Sequence, residues 1–183
     1  MNLEDWFQKG MTAQEYVDSM DKFQKDLIYI YEHFNISTED YPFFEKLQKK
    51  DIRAVVLTED WCGDAMLNVP IFLRLAEAGH IETHFLRRDE NLELMDHYLT
   101  NGKSRSIPII IFIDRDGEEI CSWGPRAPEL QTFLDDSIGS LPEKETKDYQ
   151  EKQKQMLTFI TKAYRDHQNF WHYVYKDMIR TLA

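Results

Sequence analysis

The sequence predicts an α/β fold in three layers, with a mixed β-sheet between helices and further helices added at both ends of the chain. Three observations carry this. Apolar runs at 53–59, 81–88 and 107–113 alternate with segments of helical periodicity. The last of them is followed at once by another apolar run across Asp114-Arg115-Asp116-Gly117, a tight-hairpin signal that adds an antiparallel pair to a parallel arrangement. Long amphipathic stretches lie before and after this block.

From the N-terminus, Thr12 and Glu15 have capping-box spacing, and apolar residues then fall at Tyr16, Met20, Phe23, Leu27, Tyr31 and Phe34, which predicts one helix of several turns. After the polar loop 35–40, residues 42–50 read as a short helix with Pro42 in its first turn. The run RAVVLTE has nothing polar between Ala54 and Leu57, the pattern of a strand buried on both faces. Residues 63–79 follow as a helix interrupted by Pro70 and stopped by Gly79, and IETHFLRR is the next strand, so this strand–helix–strand unit is expected to be a right-handed parallel crossover. Residues 91–102 form another helix with a glycine stop, the hairpin strands come next, and a helix begins near Pro128. The charged stretch 143–155 leads into a long helix with an apolar stripe at Met156, Ile160, Ala163, His167, Trp171, Val174, Met178 and Leu182.

At 183 residues, 42% hydrophobic and 13% aromatic, the chain can bury one full core with additions but is short for two independent domains. The expected division is a helical extension at 1–42, a core domain at 43–140, and a C-terminal helix at 141–183 packing on the extension. A net charge of −11 argues against nucleic acid and anionic membranes as partners. No apolar run approaches the ~20 residues of a membrane span, and MNLEDWFQKG has neither the basic nor the apolar region of a secretion signal, so a soluble, cytoplasmic protein is expected. Two cysteines, Cys62 and Cys121, make neither a disulfide framework nor a thiolate-rich zinc site. His80 and His84 have a metal-ligand spacing only if they share a helix, and Gly79 ends that helix first.

The order of elements over 43–137, with WCGDA between a strand and a helix, resembles the thioredoxin-like family. Trp61-Cys62-Gly63-Asp64-Ala65 stands where that family has Trp-Cys-Gly-Pro-Cys; Pro70 matches its helix-kinking proline; Ser106-Ile107-Pro108 matches its cis-proline loop; Gly117 and Gly124 also fall in place. The resemblance covers about the middle half of the chain and implies a thioredoxin-like three-layer fold. It departs at Ala65, where dithiol members carry the second cysteine, and at Val56, where they carry a buried acid.

A cysteine at a strand end and helix start meets unpaired N–H groups that favour thiolate, so Cys62 is expected to titrate somewhat below the free-thiol value of about 8.5, against the opposing charges of Glu59, Asp60 and Asp64, with the first two expected in solvent. Cys62 is thus the expected nucleophile. Trp61, Gly63, Asp64, Ile107 and Pro108 are its expected substrate-facing neighbours, and Arg105 is a candidate thiolate stabiliser. The bland role for Asp64 is service to the helix N-terminus. Cys121 is expected to sit in the last hairpin strand, away from the nucleophile, as a structural residue.

What the resemblance implies is thiol–disulfide exchange through one cysteine. A protein disulfide or low-molecular-weight thiol is the partner, a mixed disulfide is released by an external thiol, and no metal or organic cofactor takes part. The competing reading is a redox-inactive binding module whose added helices form a homodimer or partner interface.

Overall fold

The computed structural model describes residues 1–183. Its sheet has the order β1-β3-β2-β4-β5, with β1 Met11–Thr12, β2 Arg53–Thr58, β3 Glu82–Arg87, β4 Ile109–Ile113 and β5 Glu119–Trp123. β2 and β3 run parallel, while β4 is antiparallel to β2 and β5, so the expected mixed sheet is present. The parallel pair is joined by α5, Gly63–Gly79, which carries Pro70 within it.

β2 and β4 read as continuous apolar runs because both faces are covered. Ala54, Val56, Ile110 and Phe112 face the larger core, whereas Val55, Leu57, Ile109, Ile111 and Ile113 face a smaller one. The larger core lies under α3 (Gln24–His33), α4 (Tyr41–Leu47), α5, α7 (Pro128–Gly139), α8 (Tyr149–Asp166) and α9 (Gln168–Leu182). The smaller is closed by α1 (Glu4–Lys9), preceded by Leu3, and by the single turn α6 (Leu92–Met95). Phe7 of α1 stacks on His84 at 3.9 Å between centroids, and the Arg53 guanidinium lies 4.6 Å from the Phe7 centroid. His84 is thus held in a strand and His80 caps α5, so the two do not form a ligand pair on a helix.

Two expected helices are each broken. The first has its capping box, with the Thr12 hydroxyl accepting from the Glu15 N–H and the Glu15 carboxylate accepting from the Thr12 N–H, but α2 (Ala13–Asp18) stops before α3 begins. Phe23 between them takes a left-handed φ of 59°, and the Asp60 carboxylate accepts the Asp21 N–H at 2.8 Å. The last helix breaks at His167, which is exposed and extended at φ −91°, ψ 99°. The predicted helix over 91–102 shrinks to α6, the rest being turns.

The C-terminal helices pack on the N-terminal one and on α5. Tyr175 lies 5.3 Å from Phe34 between centroids, Trp171 lies 6.4 Å from Tyr29, and Arg165 pairs with Asp26 at 3.3 Å. No helix is long and apolar enough to cross a membrane.

Candidate functional site

β2 ends at Thr58, β4 begins at Ile109 and β5 ends at Trp123, so three loops meet at one end of the sheet: 59–62, 106–108 and 124–127. Cys62 is the N-cap of α5. Its backbone is extended (φ −84°, ψ 119°), which turns the sulfur back over the helix start, where Sγ accepts the Ala65 N–H at 3.4 Å. The thiol in turn donates to the Ile107 carbonyl at 3.5 Å. The Ile107–Pro108 peptide is cis, and the Ile107 N–H has no backbone partner. Cys62, Ile107 and Pro108 therefore meet, and Cys62 as a residue is only partly exposed.

Trp61 is 43% exposed, and the Arg88 guanidinium lies over its ring at 4.9 Å. Gly63 opens α5 against α8: a Cβ at this position would stand 2.9 Å from Thr161 Cγ2. Asp64 is not the simple helix-start carboxylate expected. Its Oδ2 accepts from Arg126 Nε and Nη2 at 2.9 and 2.8 Å, and its Oδ1 accepts from the Tyr164 hydroxyl at 2.9 Å. The Arg126 and Asp64 side chains are 17% and 14% exposed, so both charges are largely withdrawn from water and satisfy one another.

The titration of Cys62 runs opposite to the expectation from the helix start. Burial is the largest influence and pushes the thiol up, the Asp64 carboxylate pushes it the same way, and the Ala65 and Asp64 N–H groups and the Arg126 charge pull back too weakly, leaving a pKa of about 12. In this conformation Cys62 is a protonated thiol at neutral pH. Glu59 is buried rather than solvated; it accepts the Asp89 N–H at 3.0 Å and faces Arg87 at 3.7 Å.

Arg105 does not act on the sulfur: both prongs of its guanidinium are on Asp96, at 2.8 and 3.1 Å. Arg126 is the cation that does. The strand order could have found it, because a residue just past β5 returns to the end of the sheet where β2 finishes. Tyr164 had no such signal, being a hundred residues from its partner. Tyr16 also reaches the site, its hydroxyl 3.0 Å from Thr58 Oγ1 and its pKa raised to about 12, chiefly by burial. Cys121 stands opposite Phe112 on β4, three residues beyond Ile109 and so about 10 Å along the strand. Its thiol points to the Thr181 carbonyl of α9 at 3.8 Å, and neither cysteine is in a disulfide. No cluster of three or more His, Cys, Asp or Glu side chains is placed to hold a metal.

The raised thiol makes the fold alkali-sensitive. An unfolded chain loses the Cys62 proton near its ordinary value, about 8.5, whereas the native state keeps it until about 12. The stabilisation that the buried Cys62 thiol supplies is therefore fully present below about pH 8 and is lost as pH rises from about 8.5 to about 12. Urea midpoints measured across that window should decline, and Cys62→Ala should flatten the slope by one proton; an unchanged slope would show that burial does not hold the proton.

A thioredoxin family model matches residues 10–138. No curated protein matches the sequence significantly. Among solved structures, a protein of unknown function from Pseudomonas aeruginosa superposes with a TM-score of 0.69 at 13% identity, covering 100% of this chain and 97% of that one. An HIV epitope-scaffold superposes with a TM-score of 0.65 at 14% identity, covering 100% and 98%. At such identities the likeness is one of fold, and it extends over the terminal helices.

Proposed function

Because this chain belongs to the thioredoxin-like family, we propose that it is a thiol–disulfide exchange protein acting through Cys62 alone. The supporting observation is the pairing of Cys62 Sγ with the Ile107 carbonyl at 3.5 Å, beside an Ile107 N–H without a backbone partner. An extended peptide, or the peptide portion of a small thiol, laid against Ile107 can take that N–H and carbonyl in strand fashion and bring its sulfur to Sγ.

In the step itself the Cys62 thiolate attacks one sulfur of a disulfide, an S–S bond forms with Cys62, and the other sulfur leaves as a thiolate that takes up a proton. An external thiol then attacks the mixed disulfide and returns Cys62 to its reduced state. Ala65 and Val56, both buried, supply neither a second thiol nor an acid, so release from outside is the route that balances.

The raised Cys62 pKa favours a second reading, a thioredoxin fold kept for binding with an idle thiol. Incubation with a mixed-disulfide reagent or oxidised low-molecular-weight thiol, followed by mass spectrometry, separates the two. Under the exchange reading a stoichiometric adduct forms on Cys62, is removed by excess thiol, and is lost entirely in Cys62→Ser. An intact protein that never takes up adduct would favour the binding module.

A further inference from the structure

We infer that α8 is a lid over Cys62, latched by Tyr164 on Asp64, and that the thiol reacts from a conformation in which this latch is released. The inference rests on Cys62 being the working thiol and adds how access to it is controlled.

The fully buried part of the lid is one short stretch. Thr161 presses on Gly63 at the helix start that carries Cys62, and the Tyr164 hydroxyl reaches Asp64 two residues past the sulfur. Buried residues in α8 are Ile160, Ala163 and Tyr164, all in its second half. The eleven residues from Tyr149 to Phe159 include no fully buried side chain, nor does the connecting stretch 140–148, so upstream the helix is held by partly exposed contacts, Met156 against the core and Phe159 against Phe133 of α7 at 6.2 Å between centroids. Leu157 and Phe159 stand 54% and 56% exposed on it.

Beyond α8 the chain behaves differently. The helix ends at His167, an exposed residue out of helical geometry, and α9 is then held down by Trp171, Val174, Tyr175, Met178 and Leu182. A firmly packed helix, a non-helical residue and a helix buried over one and a half turns form a hinge arrangement in which α8 lifts while α9 stays once the Trp171 indole N–H of α9 releases the Tyr164 carbonyl it holds at 2.9 Å. Lifting withdraws Thr161 and Tyr164 from the face formed by Gly63, Asp64 and Arg126, and so uncovers the turn beside the sulfur. Burial is also the largest influence holding the thiol protonated, so opening favours the thiolate as well as access.

The test is Tyr164→Phe, which removes the hydroxyl and keeps the ring. Its readouts are the iodoacetamide rate at Cys62 at pH 8 and hydrogen exchange at the amides of residues 160–164. Tyr175→Phe is the control; it loses an equivalent hydroxyl contact, to Asp40 at 2.8 Å, in α9. In the wild type Cys62 should react at less than a hundredth of its rate in the urea-unfolded chain. Tyr164→Phe should raise both alkylation and exchange about tenfold, while the control leaves both unchanged. Should the variant fold poorly, Thr161→Ala at a half-exposed position should shift both in the same direction by a smaller factor.

Faster exchange with unchanged alkylation, or a wild-type Cys62 that reacts as freely as in the unfolded chain, would overturn the lid while leaving mixed-disulfide capture to be judged separately. Parallel acceleration of alkylation without any adduct from disulfides would uphold the lid and sink the exchange function.

Discussion

Gly124→Ala is expected to be among the most destabilising single-methyl additions in this protein, by about 3–5 kcal/mol, or roughly 10 °C in Tm. Two effects combine. The residue has φ +133°, a region left essentially to glycine, and an added Cβ would stand 2.2 Å from the Pro108 carbonyl oxygen and 3.2 Å from Ile109 Cα. Both obstacles are backbone, so no side-chain rotation relieves them. Gly102→Ala separates the effects, because Gly102 also has a positive φ, +69°, yet a Cβ there meets nothing within 4 Å. It should lose only about 1 kcal/mol. Thermal unfolding of the two variants decides the matter, and a Gly124→Ala protein melting within 2 °C of wild type would refute the close approach of the 124–127 loop to Pro108. Pro108 adjoins Ile107, whose carbonyl engages Cys62, so the variant should disturb the thiol as well.

The second large effect is electrostatic. Asp64→Asn removes the negative charge that works with burial to hold the Cys62 proton, and it leaves the positive charge of Arg126 unopposed beside the sulfur. Both changes favour thiolate, so the Cys62 pKa should fall from about 12 by at least one unit, and the thiolate fraction at pH 8 should rise tenfold or more. Stability should drop by about 2–3 kcal/mol, less than for a fully buried pair because the partners keep some exposure. The asparagine retains an acceptor oxygen for Tyr164, so the thiol effect can be read with that contact in place. Titration by thiolate absorbance provides the test; a pKa that stays put or rises would mean that Asp64 does not govern the sulfur.

Sequence reasoning reached Cys62 because a cysteine leaving an apolar strand and entering a helix fixes its own position, and the resemblance supplied Ile107 and Pro108. It erred on the sign of the thiol's titration. The helix-start amides are local and legible, whereas the burial that outweighs them comes from packing, with Cys62 lying against both core clusters. The same limit produced Arg105 in place of Arg126. Nearness to Pro108 in sequence suggested the former, but Asp96 holds it, and the latter arrives by the antiparallel return of β5.

Helix breaks were hidden for a related reason. Apolar spacing through Tyr16, Met20, Phe23 and Leu27 continues as if unbroken, and so does the stripe through His167, because a turn between two helices can keep both apolar faces on one core. Nothing in the periodicity marks the Asp60 carboxylate that holds the Asp21 N–H, or the exposure of His167. Leu3 and Phe7, four apart, were a faint signal for α1, too short to register as a period.

What the sequence determined alone was the order of the central elements, β2, α5, β3, β4, β5 and α7, the two-sided burial of β2 and β4, and a lone thiol at the start of α5, since each follows from the periods of 2 and 3.6 and from residues adjacent in the chain. Tertiary structure decided the protonation of that thiol, the pairing of Asp64 with Arg126 and Tyr164, and the helix laid over the site. These depend on desolvation and on charges brought together from distant segments, and such quantities exist only once the chain has folded.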